Sequence, residues 1–336
     1  MTSSARVPIT SSELGNLWMT YQEKTMIMRF LEHFLEHADN EETKNLLQQH
    51  YERAGKSVEV VTSIFQEEGA VIPDGFTDED VNKGVPKLFN FMYDLMYLHM
   101  MAKIETSLYA LYSTMSYRQD IRQFYKRLTV EAQETYDQTT QSLLEAGVLS
   151  RPPYVSMPKE VKYVNDKKYM TGINWFTNER SLNTIEISLI HHAIETNLTG
   201  MQLMIGFAQV ANNQQVRDHF IKGMELSKKI ETSLGEFLRQ DFIEPPATYA
   251  GKATDSTVAP FSDKLMLYNT SVLTTFGLGS NALGGAFSLR TDLPSKMILL
   301  SKDILDFAKQ GGKIMLKNGW MEEPPMIENR NDLTKR

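Results

Sequence analysis

HADNEETKNLLQQHYERAGKSVEVVTSIF (residues 37–65) recurs 173 residues later as VANNQQVRDHFIKGMELSKKIETSLGEFL (residues 210–238), and the two stretches align without gaps. A second pair, LLEAGVLSRPPYV (143–155) and MLKNGWMEEPPMI (315–327), aligns at a shift of 172 residues. Self-similarity at a fixed distance is the signature of a repeated structural unit. The sequence therefore predicts two copies of one unit of about 150 residues.

Each copy has the pattern of long helices. Thr10-x-x-Glu13 and Asn183-x-x-Glu186 occupy equivalent positions, and each pair predicts a capping box at the start of a helix. Apolar residues then follow the i, i+3, i+4 spacing of one helix face. In the first helix of the two copies these residues are Leu14, Leu17, Trp18, Tyr21, Thr25 and Met28, and Ile187, Ile190, His191, Ile194, Leu198 and Met201.

Further signals place the other helices of each copy. Proline at the start of a helix predicts that the third helix begins near Pro86 in the first copy and near Pro260 in the second. Asp120 and Asp292 are predicted N-caps of the fourth helix. Glycine in the left-handed conformation commonly ends a helix, so Gly147 and its counterpart Gly319 are predicted to end the fourth helix.

The connections predict how the helices are arranged. The first and second helices are joined by a short turn around Ala38, the third and fourth by another near Tyr117, and the second and third by the long segment 69–85. Short, long, short is the pattern of a ferritin-like bundle with one long crossover. The predicted fold class is therefore all-α, with two tandem ferritin-like four-helix bundles. We place the bundles at residues 1–150 and 182–330, joined by a packed, Pro-containing linker at 151–181.

Composition excludes several classes of function. The net charge of −7 argues against nucleic acid as a partner, and the absence of cysteine rules out disulfides and thiolate chemistry. The N-terminal stretch lacks the apolar core of a signal peptide, so a cytoplasmic protein is expected. Residues 265–289 carry no charge before Arg290, but their many hydroxyl and amide side chains predict a helix buried on most faces rather than a membrane span.

A di-metal carboxylate centre is the chemistry to test in such a bundle, because it takes a Glu-x-x-His pair from each of two helices. None of the seven histidines is preceded three residues earlier by glutamate. A non-standard metal site in the first copy stays open as the alternative, and its candidate ligands are His99, Glu105, Glu131 and Glu134. Glu13 and Glu186 are explained by capping.

Two histidine-rich stretches contain residues that could bind a metal. HFLEH, with His33 and His37, could bind a metal on a helix face, but it is interpreted as the polar flank of a surface helix. SLIHHAIETN (188–197) aligns with GNLWMTYQEK, which puts His191 opposite Trp18 on the apolar stripe. We expect His191 to be a half-buried core residue that is hydrogen-bonded to Glu195.

The glycines of FGLGSNALGG (276–285) resemble a dinucleotide fingerprint, but the aligned segment of the first copy is helical, whereas that motif requires a strand–turn–helix. Glycine inside a helix costs about 1 kcal/mol relative to alanine, which calls for a structural reason. We predict that this helix forms a tight packing seam, to be tested at Gly284, either within its own bundle, against the first bundle or against another chain. The methionine-rich FMYDLMYLHMMAKI (91–104) predicts core, with a cavity for a small apolar ligand as the alternative.

Three motifs carry a resemblance to a known family. DGFTDEDVN (74–82), TDSTVAPFSDKLM (254–266) and NGWMEEPP (318–325) resemble an uncharacterised tandem-bundle family of endospore-forming bacteria, a domain of unknown function with some members labelled spore-coat-protein-F-like. The resemblance extends from about Ile9 to Arg330. It implies a ferritin-like fold in both copies and an association with sporulation, and it implies no catalytic residue.

These observations predict a non-enzymatic structural or interaction protein, associated with sporulation or the spore coat and located in the cytoplasm or the spore. The expected partners are other proteins or further copies of the chain. We assign no catalytic residue, no cofactor and no metal ligand from the sequence. The alternative is a ferritin-like protein that binds a metal or a small apolar ligand in its first bundle, including a redox enzyme of that kind.

Overall fold

The computed structural model describes residues 7–90, 92–171, 180–247 and 251–334 and is all-helical there, as predicted. Two repeated halves contain four long helices each. In the first half these are α1 (Ser11–Glu36), α2 (Glu41–Glu67), α3 (Tyr93–Thr114) and α4 (Gln119–Glu145). In the second they are α5 (Thr184–Val210), α6 (Gln214–Gln240), α7 (Asp263–Phe287) and α8 (Asp292–Lys317). The prediction of tandem helical bundles is confirmed.

The capping boxes at the start of α1 and α5 are confirmed. Thr10 and Asn183 each accept from the backbone N–H of the glutamate three residues on, and Glu13 and Glu186 accept from the backbone N–H of the cap residue. Glu13 also accepts from the backbone N–H groups of Tyr117 and Arg118, at 2.7 Å each. This glutamate therefore ties the start of α1 to the start of α4, as well as satisfying its own helix end.

The predicted starts of the third and fourth helices need correction. The N-caps of α4 and α8 are Arg118 and Thr291, not Asp120 and Asp292. Both aspartates lie inside the first turn and accept from an arginine two residues earlier instead. The structure also begins α3 only at Tyr93, seven residues after Pro86, because the crossover continues through that proline.

The predicted short, long, short connections occur in both halves. Residues 37–40 and 115–118 join neighbouring helices in the first half, and its long crossover includes residues 68–90, with a short 3₁₀ helix at Asp78–Asp80. In the second half the described part of the crossover is residues 241–247 and 251–262. Gly147 and Gly319 follow α4 and α8 with φ of 68° and 69°, which confirms their predicted left-handed role.

The two crossovers pair with each other and join the halves. Isolated antiparallel bridges link Val81 to Phe261 and Phe89 to Ala253. Beneath them, Phe30 of α1 lies 4.3 Å from Phe261 and 6.1 Å from Phe207 of α5, measured between ring centroids. One continuous apolar core therefore contains side chains from both halves, and its burial stabilises the pair of bundles together.

Two expectations about burial are wrong. Residues 151–168 of the linker are exposed rather than packed, because their prolines and charged side chains favour an extended, solvated chain. Residues 172–179 of the predicted linker lie outside the described residues. Helix α7 is well buried only in its first two turns, and many of its later residues are exposed or half-buried. None of the helices in the part of the chain that the structure describes has the length and apolarity needed to cross a bilayer.

Candidate functional site

The centre of the first half is a buried cluster of charged and polar side chains. Lys24 Nζ lies 2.7 Å from Glu105 Oε1 and 3.9 Å from Glu23 Oε2. Tyr109 donates its hydroxyl to the Glu23 carboxyl, and His50 Nε2 lies 3.5 Å from Glu105 Oε1. Helices α1, α2 and α3 each contribute, and all five side chains are buried. We call these residues the ion cluster.

The two carboxyl groups of the ion cluster differ in protonation. Burial raises the pKa of Glu23 to about 8; the Lys24 charge opposes this rise and the Glu105 charge adds to it, so the protonated form of Glu23 is favoured at neutral pH. Burial also acts to raise the pKa of Glu105, but Lys24 and His50 outweigh it and hold that pKa well below its ordinary value. The Lys24 pKa is raised because its two glutamates outweigh its burial. The ion cluster is therefore one ammonium–carboxylate pair beside a neutral acid.

The ion cluster does not fit a di-metal centre. Such a centre needs four carboxylates and two histidines that converge from four helices. Here the donors are two carboxyl groups and one imidazole, and the Lys24 ammonium lies between the carboxyl groups where a cation would have to bind. A positive side chain at that position already neutralises the Glu105 charge.

The four candidate ligands of the first copy do not meet in one site. Glu105 belongs to the ion cluster, whereas His99 lies 3.8 Å from Glu195 of the second half and 3.2 Å from the Thr139 hydroxyl. Glu134 is paired with Arg53 in a more exposed position, 2.7 Å apart. Glu131 lies 3.7 Å from Arg127 on its own helix.

At the equivalent place in the second half the structure has a cavity of about 100 Å³. Its lining includes the counterparts of the ion cluster: Thr196 for Glu23, Asn197 for Lys24, Gly223 for His50, Gly277 for Glu105 and Asn281 for Tyr109. Every one of these side chains is smaller than its counterpart and uncharged. The same position in the two bundles is thus ionic in one half and hollow in the other.

The histidines of SLIHHAIETN are not hydrogen-bonded as expected. Glu195 accepts from Lys103 of α3 at 2.8 Å, and the predicted bond between His191 and Glu195 is replaced by this ion pair between the halves. His191 is a buried residue on the apolar stripe, with Nε2 3.5 Å from the Ser150 hydroxyl. Burial lowers its pKa and that of His192, so both imidazoles are neutral at pH 7.

An apolar cleft of about 820 Å³ lies between the halves. Its walls are α3 and α4 of the first half and α5 and α7 of the second, with Met19 of α1 at one side. Lys103 and His192 are the basic residues of the lining, and no carboxylate belongs to it. The lining also includes Leu108, Leu111, Tyr112, Tyr136, Leu189, Val272, Phe276, Gly279 and Leu283. We call this surface the interhalf cleft.

The glycines of α7 have two different structural explanations. A Cβ added at Gly284 would lie 2.9 Å from Met297 Sδ on α8, so the close approach predicted there is found inside the second bundle. A Cβ added at Gly277 or Gly279 would have no neighbour within 4 Å. These two glycines line the cavity and the interhalf cleft respectively, where their missing side chains leave room.

Neither the ion cluster nor the interhalf cleft was predicted from the sequence. A signal for the ion cluster was present in the sequence. Glu23 and Lys24 are charged, yet they lie within a helix that is buried along most of its length. The cleft had no such signal, because its walls come from four helices in different halves and only the packing of the halves brings them together.

Repeated all-helical bundles define the class of this protein. The chain belongs to the family described as "Protein of unknown function (DUF3231)", which matches it twice, at residues 2–161 and 170–333. No curated protein matches it. A crystal structure described as a "putative spore coat protein" of Bacillus halodurans C-125 is similar at 16% identity and a TM-score of 0.41, over 45% of this chain and 98% of that one. A similarity this distant bears on neither fold nor function.

Proposed function

We propose that this protein is a non-enzymatic structural or interaction protein that associates with further copies of itself through the interhalf cleft. The observation that carries this proposal is the cleft itself, an apolar surface formed by α3, α4, α5 and α7 that is open to solvent among the residues the structure describes. Leu111 and Leu283 on its walls are 52% and 59% exposed. Large exposed apolar patches on soluble proteins usually mark interaction sites.

The ion cluster supports a structural role for the first bundle. Its ammonium and carboxylate groups satisfy each other inside the core, which leaves them unsuited to bind a substrate from solvent. In addition, we propose that both halves are ferritin-like bundles and that residues 1–150 and 182–330 are the two domains. The short, long, short connections of both halves support the first of these proposals.

Self-association is tested by measuring molecular mass against concentration in sedimentation experiments. The wild type is expected to form dimers or larger species at micromolar concentration, and Leu283→Glu should shift it to monomer because a charge would be buried in the contact. Leu299→Glu is the matched control, since Leu299 on α8 is 61% exposed and lies outside the cleft. A wild type that stays monomeric, or equal effects of the two variants, would contradict the proposal.

A small apolar ligand is the second candidate occupant of the interhalf cleft. Its volume of about 820 Å³ is in the range of ligand sites, about 300–1,000 Å³, and the hydroxyls of Thr106 and Thr275 offer hydrogen bonds to a neutral polar group. An apolar fluorescent probe such as N-phenyl-1-naphthylamine should then bind the wild type. It should bind the Gly279→Phe variant more weakly, because the new side chain fills the cleft. Unchanged probe binding in that variant would reject this candidate.

We also propose an association with sporulation, in the cytoplasm or in the spore. This rests on the resemblance of DGFTDEDVN, TDSTVAPFSDKLM and NGWMEEPP to the family of endospore-forming bacteria. The test is to quantify the protein by immunoblot in vegetative cells and purified spores of its source. Enrichment in spores is expected, and equal abundance in cells that do not sporulate would contradict the association.

A further inference from the structure

The C-terminal end of α1 brings together three side chains that can bind a metal. His33, Glu36 and His37 each offer one ligand atom, and these atoms lie within 4.8 Å of one another. Residues spaced i, i+3 and i+4 share one face of a helix, so the helix itself creates this grouping. Among the residues that the structure describes, no other three histidine or carboxylate side chains meet at this spacing.

The interpretation of HFLEH as a surface flank is wrong, because His33 is only 1% exposed. The first-half crossover covers this end of α1. Its backbone N–H at Leu88 lies 3.4 Å from His33 Nε2, and the His33 ring is 5.3 Å from that of Phe261, between centroids. A half-covered position with an apolar wall strengthens the attraction between a cation and its ligands.

The crossover also orients the other two side chains. His37 Nε2 lies 2.9 Å from the Val85 carbonyl oxygen, so Nε2 carries the proton and donates it, and Nδ1 keeps its lone pair. The Gly84 N–H donates to Glu36 Oε1 at 2.8 Å, which leaves Oε2 available. Metal-binding histidines characteristically donate their second ring N–H to a carbonyl or carboxylate in this way.

His33 contributes an independent observation. Its Nδ1 is buried and has no hydrogen-bond partner, although buried polar atoms are nearly always paired. A cation bound at this nitrogen would give it a partner. The ring proton would then move to Nε2, and the long contact from the Leu88 N–H would be given up.

We propose that His33, Glu36 and His37 form a binding site for a divalent transition-metal cation of the zinc class. Two imidazoles and one carboxylate are typical ligands of zinc, whereas calcium and magnesium prefer oxygen ligands alone. Three protein ligands leave a fourth position for water. The neighbouring Lys87 ammonium is paired with the Asp39 carboxylate, with 2.7 Å between Nζ and Oδ2, and this carboxylate compensates its charge.

The site is specific to the first half. The residues at the equivalent positions of α5 are Gly206, Gln209 and Val210, which supply no histidine or carboxylate. The Phe89 ring packs against Gly206 there, so the second half has no space for such a group. One cation per chain is therefore expected.

The test is isothermal titration of zinc chloride into the untagged, full-length protein after treatment with a chelator. The wild type is expected to bind one zinc ion per chain. Glu36→Gln and His37→Gln should each weaken zinc binding by at least about tenfold. Glu59→Gln is the control for Glu36→Gln, because it removes an exposed carboxylate of α2 outside both the site and the interhalf cleft and should leave the affinity unchanged.

Cobalt gives a second measurement on the same proteins. Cobalt bound by two imidazoles, a carboxylate and water should show the visible absorption of a four-coordinate ion, and Glu36→Gln should lose it while keeping the helical circular dichroism of the wild type. Absence of stoichiometric zinc binding would overturn the proposal. Binding that Glu36→Gln and His37→Gln leave unchanged would overturn it equally. Neither result depends on self-association through the cleft, so the two proposals fail separately.

Discussion

The two halves share a backbone and differ at its centre. In the first, Lys24 and Glu105 form a buried ion pair flanked by Glu23 and Tyr109, whereas in the second the same place is a cavity of about 100 Å³. Burying an ion pair costs desolvation, and a cavity loses dispersion contacts, so neither arrangement is a well-packed apolar core. The bundle fold therefore forms with either a buried ion pair or a cavity at its centre.

What the halves have in common lies nearer the helix ends. Both start with a capping box, and both end their fourth helix at a glycine with positive φ. Their crossovers pair with each other, and Phe30, Phe207 and Phe261 pack together in the shared core. These features stabilise the fold in both halves, so the residues at the centres of the two bundles can differ.

The largest effect is expected from Lys24→Met in the ion cluster. It removes the ammonium and leaves the buried Glu105 carboxylate without its counter-charge, so unfolding free energy should fall by about 3–5 kcal/mol. Chemical denaturation measures it. Asn197→Met, the equivalent change in the second half, loses a hydrogen bond to the Ser227 carbonyl but fills part of the cavity, and should stay within about 1.5 kcal/mol. Similar losses in both variants would erase the distinction between the halves.

The shared capping glutamate predicts a pH dependence. Burial acts to raise the pKa of Glu186, but hydrogen bonds from Arg180, the Asn183 N–H and the Ser288 hydroxyl outweigh it and hold the pKa at about 2. Because this pKa lies below the ordinary 4.5, its stabilisation is complete above pH 4.5 and is lost as the pH falls toward 2. Acid titration of the unfolding free energy should show a shallower fall for Glu186→Gln. Identical slopes would contradict this role.

Gly284→Leu tests the packing seam of the second half. The new side chain would be forced against Met297 on α8, and overpacking of this kind costs about 1–3 kcal/mol. Gly279→Leu is the control on the same helix, because nothing lies within 4 Å of its added Cβ. We expect a lower melting temperature for the first variant only. A melting temperature that Gly284→Leu leaves unchanged would refute the seam.

Gly277→Ala should have the smallest effect, and it should be stabilising. Its added methyl has no neighbour within 4 Å, and replacing glycine by alanine inside a helix gains about 0.8–1 kcal/mol. The equivalent residue of the first half is Glu105, where replacement by alanine should instead destabilise the protein. Denaturation curves that move in the same direction for both variants would show that the two centres respond alike.

Much of the fold could be predicted from the sequence because its signals are local or repeated. The gap-free alignment of 37–65 with 210–238 and the capping pairs fixed the number and order of the helices. The start of α3 was misplaced, since a proline is tolerated in the extended crossover as well as in the first turn of a helix. Arg118 was missed as an N-cap because Asp120 is the more usual cap residue.

The sites could be predicted far less well. The partner of Glu195 is Lys103, 92 residues away in the sequence. Helical spacing within one helix cannot predict an ion pair between residues of different halves. The group at His33 was visible as a motif, but its burial under the crossover depends on residues 84–88 of a segment without regular structure. The absence of charge from residues 265–289 also led to the prediction that α7 is buried on most faces, and the interhalf cleft leaves that burial incomplete.

Lys24 and Glu105 form a self-sufficient ion pair at the centre of the first half. A double-mutant cycle of Lys24→Met and Glu105→Gln tests this pairing, with unfolding free energy as the measurement. We expect the double variant to lose much less stability than the sum of the single losses, with a coupling energy of at least about 2 kcal/mol. Additive losses would contradict it.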